Sequence, residues 1–158
     1  MTTSLDCRTE RRRDRVRESA LFGLDYLEIG ADQRTLAVHF LGRAPYGLGR
    51  GSLRIEGGER IRDVAVTDVE VFYSADPELD DWMRVSVDQA GDFSTYVLRV
   101  VEADAHGSPT RRPRRDFDRR YDALQFSFKI GCASPLDWST PTSRKTMNTP
   151  NILARVTT

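Results

Sequence analysis

The sequence predicts an all-β fold, an antiparallel β-sandwich around one hydrophobic core, and three observations carry that expectation. Leu124, Phe126, Phe128 and Ile130 alternate with Gln125, Ser127 and Lys129, the two-residue period of a strand that buries one face. Short runs of the same kind recur from Leu24 onward, divided by turn-forming residues. At 158 residues and 39% hydrophobic content, the chain suffices for one ordinary domain and falls short of two.

The first segment, residues 1–20, is charged. Arg8 to Ala20 contains no Gly or Pro, and Glu10 with Arg13 and Asp14 with Arg17 stand at the i,i+3 spacing that supports a surface helix. Val16 and Ala20 are nearly all its apolar face, so the segment reads either as a short helix lying lightly on the domain or as a solvated arm.

The β-domain is expected over 21–132. Leu24 to Ile29 and Thr35 to Leu41 read as a hairpin around Gly30-Ala31-Asp32-Gln33, with Leu36, Val38 and Phe40 on one face and His39 turned outward. Ser52 to Glu56 and Ile61 to Val66 read as the next strands, with Gly57-Gly58 as the turn between them. Val69 and Val71 lie an odd step from Val66, which places a bulge, a bend or a change of sheet at Thr67-Asp68.

Met83, Val85 and Val87 alternate in the following strand, and Tyr96, Leu98 and Val100 in the one after, which reads as a further hairpin across Asp88 to Asp92. Ala103 to Asp116, rich in Gly, Pro and Arg, reads as a long exposed loop before the last strand. About seven strands at this spacing are those of an immunoglobulin- or fibronectin-like sandwich. Residues 133–158, rich in Ser, Thr and Pro, read as an irregular linker or tail.

Composition narrows the function classes. Lys and Arg number 24 against 24 Asp and Glu, so no global field draws nucleic acid or an anionic membrane to the molecule, and the expected partner is protein. All the basic residues except Lys129 and Lys145 are Arg, a skew that fits forked contacts with carboxylates at interfaces and equally the codon usage of a GC-rich genome. Two cysteines, Cys7 and Cys132, are too few for a disulfide scaffold. Met1 to Asp6 has no apolar run, and no segment approaches the roughly 18 apolar residues of a membrane span. A cytoplasmic protein with no signal peptide or membrane insertion is expected.

No constellation points to catalysis, a cofactor or a metal. Gly47-Leu48-Gly49-Arg50-Gly51 lacks the Lys-Ser/Thr pair and the following helix that a phosphate loop needs. Asp76, Glu78, Asp80 and Asp81 are acidic, but their spacing is not that of a calcium loop and Pro77 interrupts it. His39 and His106 are the two candidate bases, and no Ser lies in a nucleophile-elbow pattern. Two thiols without supporting His or Cys spacing make a weak zinc signal.

Several segments together carry a resemblance. Cys7-Arg8 with Arg11-Arg12-Arg13, Gly23 to Glu28, Leu53 to Gly58 with Ile61 to Val64, Gly91 to Tyr96, and Phe117-Asp118 through Cys132 resemble, in that order, the N-terminal region of baseplate assembly proteins from phage-tail-like contractile injection systems. The resemblance implies a non-enzymatic structural part of a baseplate that holds neighbouring subunits in register until sheath contraction. Its partners would be other baseplate and sheath subunits, within a multi-subunit ring.

The docking candidates are Arg8, Arg11, Arg12 and Arg15 in the first segment and Arg111, Arg112, Arg114, Arg115, Arg119 and Arg120 in the later basic run. Members of that family continue after the Cys-containing segment through a Pro-rich link into a large core region. Pro150 to Ala154 resembles the opening of that continuation, and Trp138 stands where a second cysteine is common. The rival reading is a free-standing carbohydrate- or ligand-binding sandwich in which Tyr46, Tyr73 and Trp82 supply aromatic platforms.

Overall fold

A computed structural model describes residues 3–129, with side chains from residue 10 onward. The charged first segment is a helix, α1 (Thr3–Glu18), and the rest is built on eight strands. These are β1 (Leu24–Ile29), β2 (Thr35–Phe40), β3 (Leu53–Gly57), β4 (Val66–Phe72), β5 (Trp82–Val87), β6 (Tyr96–Ala103), β7 (Pro109–Pro113) and β8 (Ala123–Phe126). One sheet has the order β1-β2-β5-β4 and the other β3-β6-β7, with β8 also paired to β6, all antiparallel. The first seven strands thus follow the two-sheet order of a constant-type immunoglobulin sandwich.

The alternation in the sequence produces the core directly. Leu36, Val38 and Phe40 of β2 and Met83, Val85 and Val87 of β5 face Leu53 and Ile55 of β3 and Tyr96, Leu98 and Val100 of β6. Phe126 closes one end with Phe128, which lies two residues beyond β8, meets Tyr96 edge-on at 4.9 Å and is fully buried. Gly91 admits that ring: a Cβ there would stand 2.2 Å from Phe128 Cδ2.

Tyr96 also fixes the corner before β6. Its hydroxyl donates to the Ile61 carbonyl at 2.6 Å and accepts the Asp92 N–H at 3.0 Å, the arrangement of a tyrosine corner. The Asp92 carboxylate accepts the N–H groups of Arg60 and Ile61 at 2.7 and 3.0 Å and that of Ser94 at 2.9 Å. The Ser94 hydroxyl, followed by the Ile61 amide, holds the Asp92 carboxyl well below the usual range. Two loops from opposite sheets are therefore tied by one acid and one phenol.

Three expectations change here, and a fourth narrows to one of its alternatives. Ile61 to Ala65 is irregular and contributes Val64 to the core, because β3 and β4 belong to different sheets and the chain must cross between them. Gly57 and Gly58, at φ 107° and 87°, make that departure and not a hairpin turn. The odd step at Thr67-Asp68 is a bulge, with a register shift between Val66 and Asp68. β5 and β6 form no hairpin; the Asp88 to Thr95 connection also changes sheet.

The expected loop over Ala103 to Asp116 contains β7, which makes the observed count eight and not seven. Asp104 to Gly107 turns the chain back so that Pro109 faces Ala103 and Pro113 faces Val101. β7 buries no side chain fully, so it leaves no alternation in the sequence, and its two prolines mark its ends. Ile130, Cys132 and the tail 133–158 lie outside the described residues, as does the side chain of Cys7.

Candidate docking surfaces

The ten candidate arginines sort into committed and uncommitted groups. In α1, Val16 is fully buried, Arg13 pairs with Asp25, and Arg17 reaches Asp80 at 2.9 Å, so residues 13, 16 and 17 form the inward face. Arg8, Arg11, Arg12 and Arg15 stand at i, i+3, i+4 and i+7 along the helix and share another face. Arg11, Arg12 and Arg15 are exposed, and none of the three makes an ion pair among the described residues. Glu10, Asp14 and Glu18, four residues apart, occupy a separate flank.

In the second run, Arg114 is structural. It bonds Asp116 at 2.8 Å and the Tyr46 carbonyl at 3.2 Å. Arg115 lies 3.4 Å from Glu102, and Arg120 clasps Asp118 at 2.8 Å, a bond that lowers the Asp118 pKa and raises that of Arg120. Arg111 and Arg112 on β7 and Arg119 before β8 remain exposed, with no ion pair among the described residues. Arg54 and Arg99, opposite one another across β3 and β6, share Glu56 at 3.0 and 3.1 Å. Their outward parity in the sequence is the signal for these two, since neither lies in a run of charges.

The outer face of the β1-β2-β5-β4 sheet carries a different chemistry. Its register sets Tyr26 beside His39, His39 beside Trp82, and Trp82 beside Phe72, one residue from each strand. Their rings stack in a row, at centroid distances of 4.3, 6.2 and 4.2 Å and interplanar angles of 9°, 23° and 11°. The next row is Glu28, Ala37, Arg84 and Glu70, with Arg84 and Glu70 paired. His39 faces outward as its parity predicts. Tyr73 and Tyr46, 5.2 Å apart, extend the aromatic surface beyond the strands.

The expected aromatic platforms are thus only partly platforms. Trp82 has His39 on one side and Phe72 on the other, so its ring presents an edge to the outside. A sugar ring stacks on a free aromatic face, and the row uses those faces internally. Tyr26, Phe72 and His39 escape a reading of the sequence strand by strand because the row exists only across four strands.

The remaining candidates are occupied by structure. Asp81 is completely buried and receives the N–H groups of Ala44 and Ser74 at 2.8 and 2.7 Å, with Arg43 at 3.2 Å. Asp80 receives the Gly42 N–H at 3.0 Å, and Asp76 the Glu78 N–H at 2.9 Å. The glycine-rich segment runs through a short 3-10 turn, Arg50–Ser52, into β3. No described helix is long and apolar enough to cross a membrane.

No curated protein and no solved structure matches the chain. The family model of the phage baseplate assembly protein, N-terminal domain, matches residues 1–126, which takes in α1 and all eight strands.

Proposed function

We propose, from the premise that this chain belongs to the phage baseplate assembly protein N-terminal domain family, that it is a non-enzymatic structural part of the baseplate of a phage-tail-like contractile injection system. The match across the whole sandwich carries this reading. It acts by assembly: exposed Arg11, Arg12 and Arg15 on α1, with Arg8 in the same stripe, meet carboxylates of neighbouring baseplate and sheath subunits. Arg111, Arg112 and Arg119 offer a second docking surface, while Arg114 braces the segment that presents them and Arg115 and Arg120 pair with Glu102 and Asp118. Assembly takes place in the cytoplasm, where the ring is built.

Co-purification of the tagged chain with the sheath and baseplate proteins of its own gene cluster tests the reading. Capture of at least one of them, weakened about tenfold or more at high salt, is the expected result. A folded chain that captures none of them removes the assembly role.

A further inference from the structure

The aromatic row opens into a cleft of about 390 Å³, walled by Tyr26, His39, Phe72, Tyr73, Leu79 and Trp82. Leu79 is 60% exposed, Tyr73 45% and Tyr26 46%, a large apolar surface for one end of a sandwich. Its rim is acidic. Glu28 lies 3.5 Å from the His39 ring nitrogen, and Asp76 and Glu78 project from the loop that also carries Leu79. Neither Asp76 nor Glu78 is ion-paired among the described residues. The arginines nearest the cleft are already committed, Arg17 to Asp80, Arg43 to Asp81 and Arg84 to Glu70.

The complementary surface is on the same chain. Among the described residues Val16, Arg13 and Arg17 tie α1 to its own domain, and its other sides are polar and uncovered. Its anchors are Asp25, next to Tyr26, and Asp80, in the wall of the cleft, so the helix rises beside the cleft. Its arginine stripe faces away from the residues that anchor it, and α1 cannot turn that stripe into its own cleft without breaking the Arg13 and Arg17 pairs. The cleft of a neighbouring copy has no such obstacle.

We infer that the arginine stripe of α1 in one copy docks in the acid-rimmed aromatic cleft of the next copy, a head-to-tail contact between two different surfaces. Arg stems cover the exposed Leu79 and Tyr rings while guanidinium groups meet Glu28, Asp76 and Glu78. A contact of this heterologous kind repeats from copy to copy and closes a ring when the rotation permits. The inference rests on the assembly reading but needs no other subunit.

Sedimentation of the full chain, with two variants, tests it. The wild type is expected to self-associate at high protein concentration and to dissociate as salt rises. A helix variant, Arg11→Glu with Arg12→Glu and Arg15→Glu, keeps an intact cleft and should be monomeric. A cleft variant, Asp76→Asn with Glu78→Gln and Leu79→Ser, keeps an intact helix and the Asp76 turn and should also be monomeric. All six substitutions are at exposed positions, and circular dichroism checks each fold.

Mixed, the two variants retain one good contact per pair and should form a heterodimer that grows no further. A monomeric wild type, or self-association that survives either variant, overturns the inference. So does a mixture that stays monomeric. Loss of capture of another baseplate subunit by the helix variant, with the wild type monomeric, assigns the stripe to that subunit and overturns the inference while leaving the assembly reading intact.

Discussion

Tyr96 and Asp122 show how single residues set the stability of this sandwich. The Tyr96 hydroxyl is the shared partner of the Ile61 carbonyl and the Asp92 N–H in a buried corner. Tyr96→Phe keeps the ring and its packing but leaves both backbone groups without that partner, at a cost of about 1–3 kcal/mol. A lower urea midpoint with an unchanged slope would report it.

Asp122 works in the opposite sense. Burial raises its pKa, against the pull of Arg99 and Arg119, so the folded state binds its proton more tightly than the unfolded state does. Its contribution therefore becomes less favourable as pH rises through the range above an unfolded value of about 3.9. Asp122→Asn should raise Tm at neutral pH, and that advantage should vanish below about pH 4. Asp92 and Asp118, whose pKa values are lowered, contribute stability at neutral pH that is lost as pH falls through their folded values. A Tm series against pH for wild type and Asp122→Asn separates the two signs.

At the scale of elements, α1 is the least secured. Val16 is its one fully buried side chain among those described, and the Arg13 and Arg17 pairs are partly solvated. Placing a charge at that position by Val16→Asp removes the apolar anchor without touching the sandwich core. Amide exchange in α1 should then become nearly unprotected, while protection in β2, β5 and β6 changes little.

The strands were legible to the degree that they bury one face. β1, β2, β3, β5 and β6 announce themselves by alternation, and β7 does not, because none of Pro109 to Pro113 is fully buried. Pairing was less legible. The turn-like Gly57-Gly58 and Asp88 to Asp92 segments look the same in sequence whether the chain folds back or crosses to the other sheet.

On the scale of the whole molecule, a formal charge of +0 conceals two unlike outer faces. One bears the aromatic row beside an acidic loop, and the other bears Arg54 and Arg99 near the β7 arginines. The fold also extends past the end of the family match at residue 126, since Phe128 fills the end of the core. Relative to a chain ending at Lys129, one ending at Phe126 should lose about 3–5 kcal/mol, the cost typical of deleting a buried Phe ring, as read by chemical denaturation.

The sequence by itself determined that the domain is all-β, where most strands lie and which strand residues enter the core. Each follows from the two-residue period of a strand, and a local period survives in one dimension. Only the tertiary structure decided which strands pair, which arginines are already spent on Asp116, Glu102 and Asp118, and that Tyr26, His39, Trp82 and Phe72 form one surface. Those four residues are as far apart as 26 and 82 in the chain, and strand register alone brings them into a row.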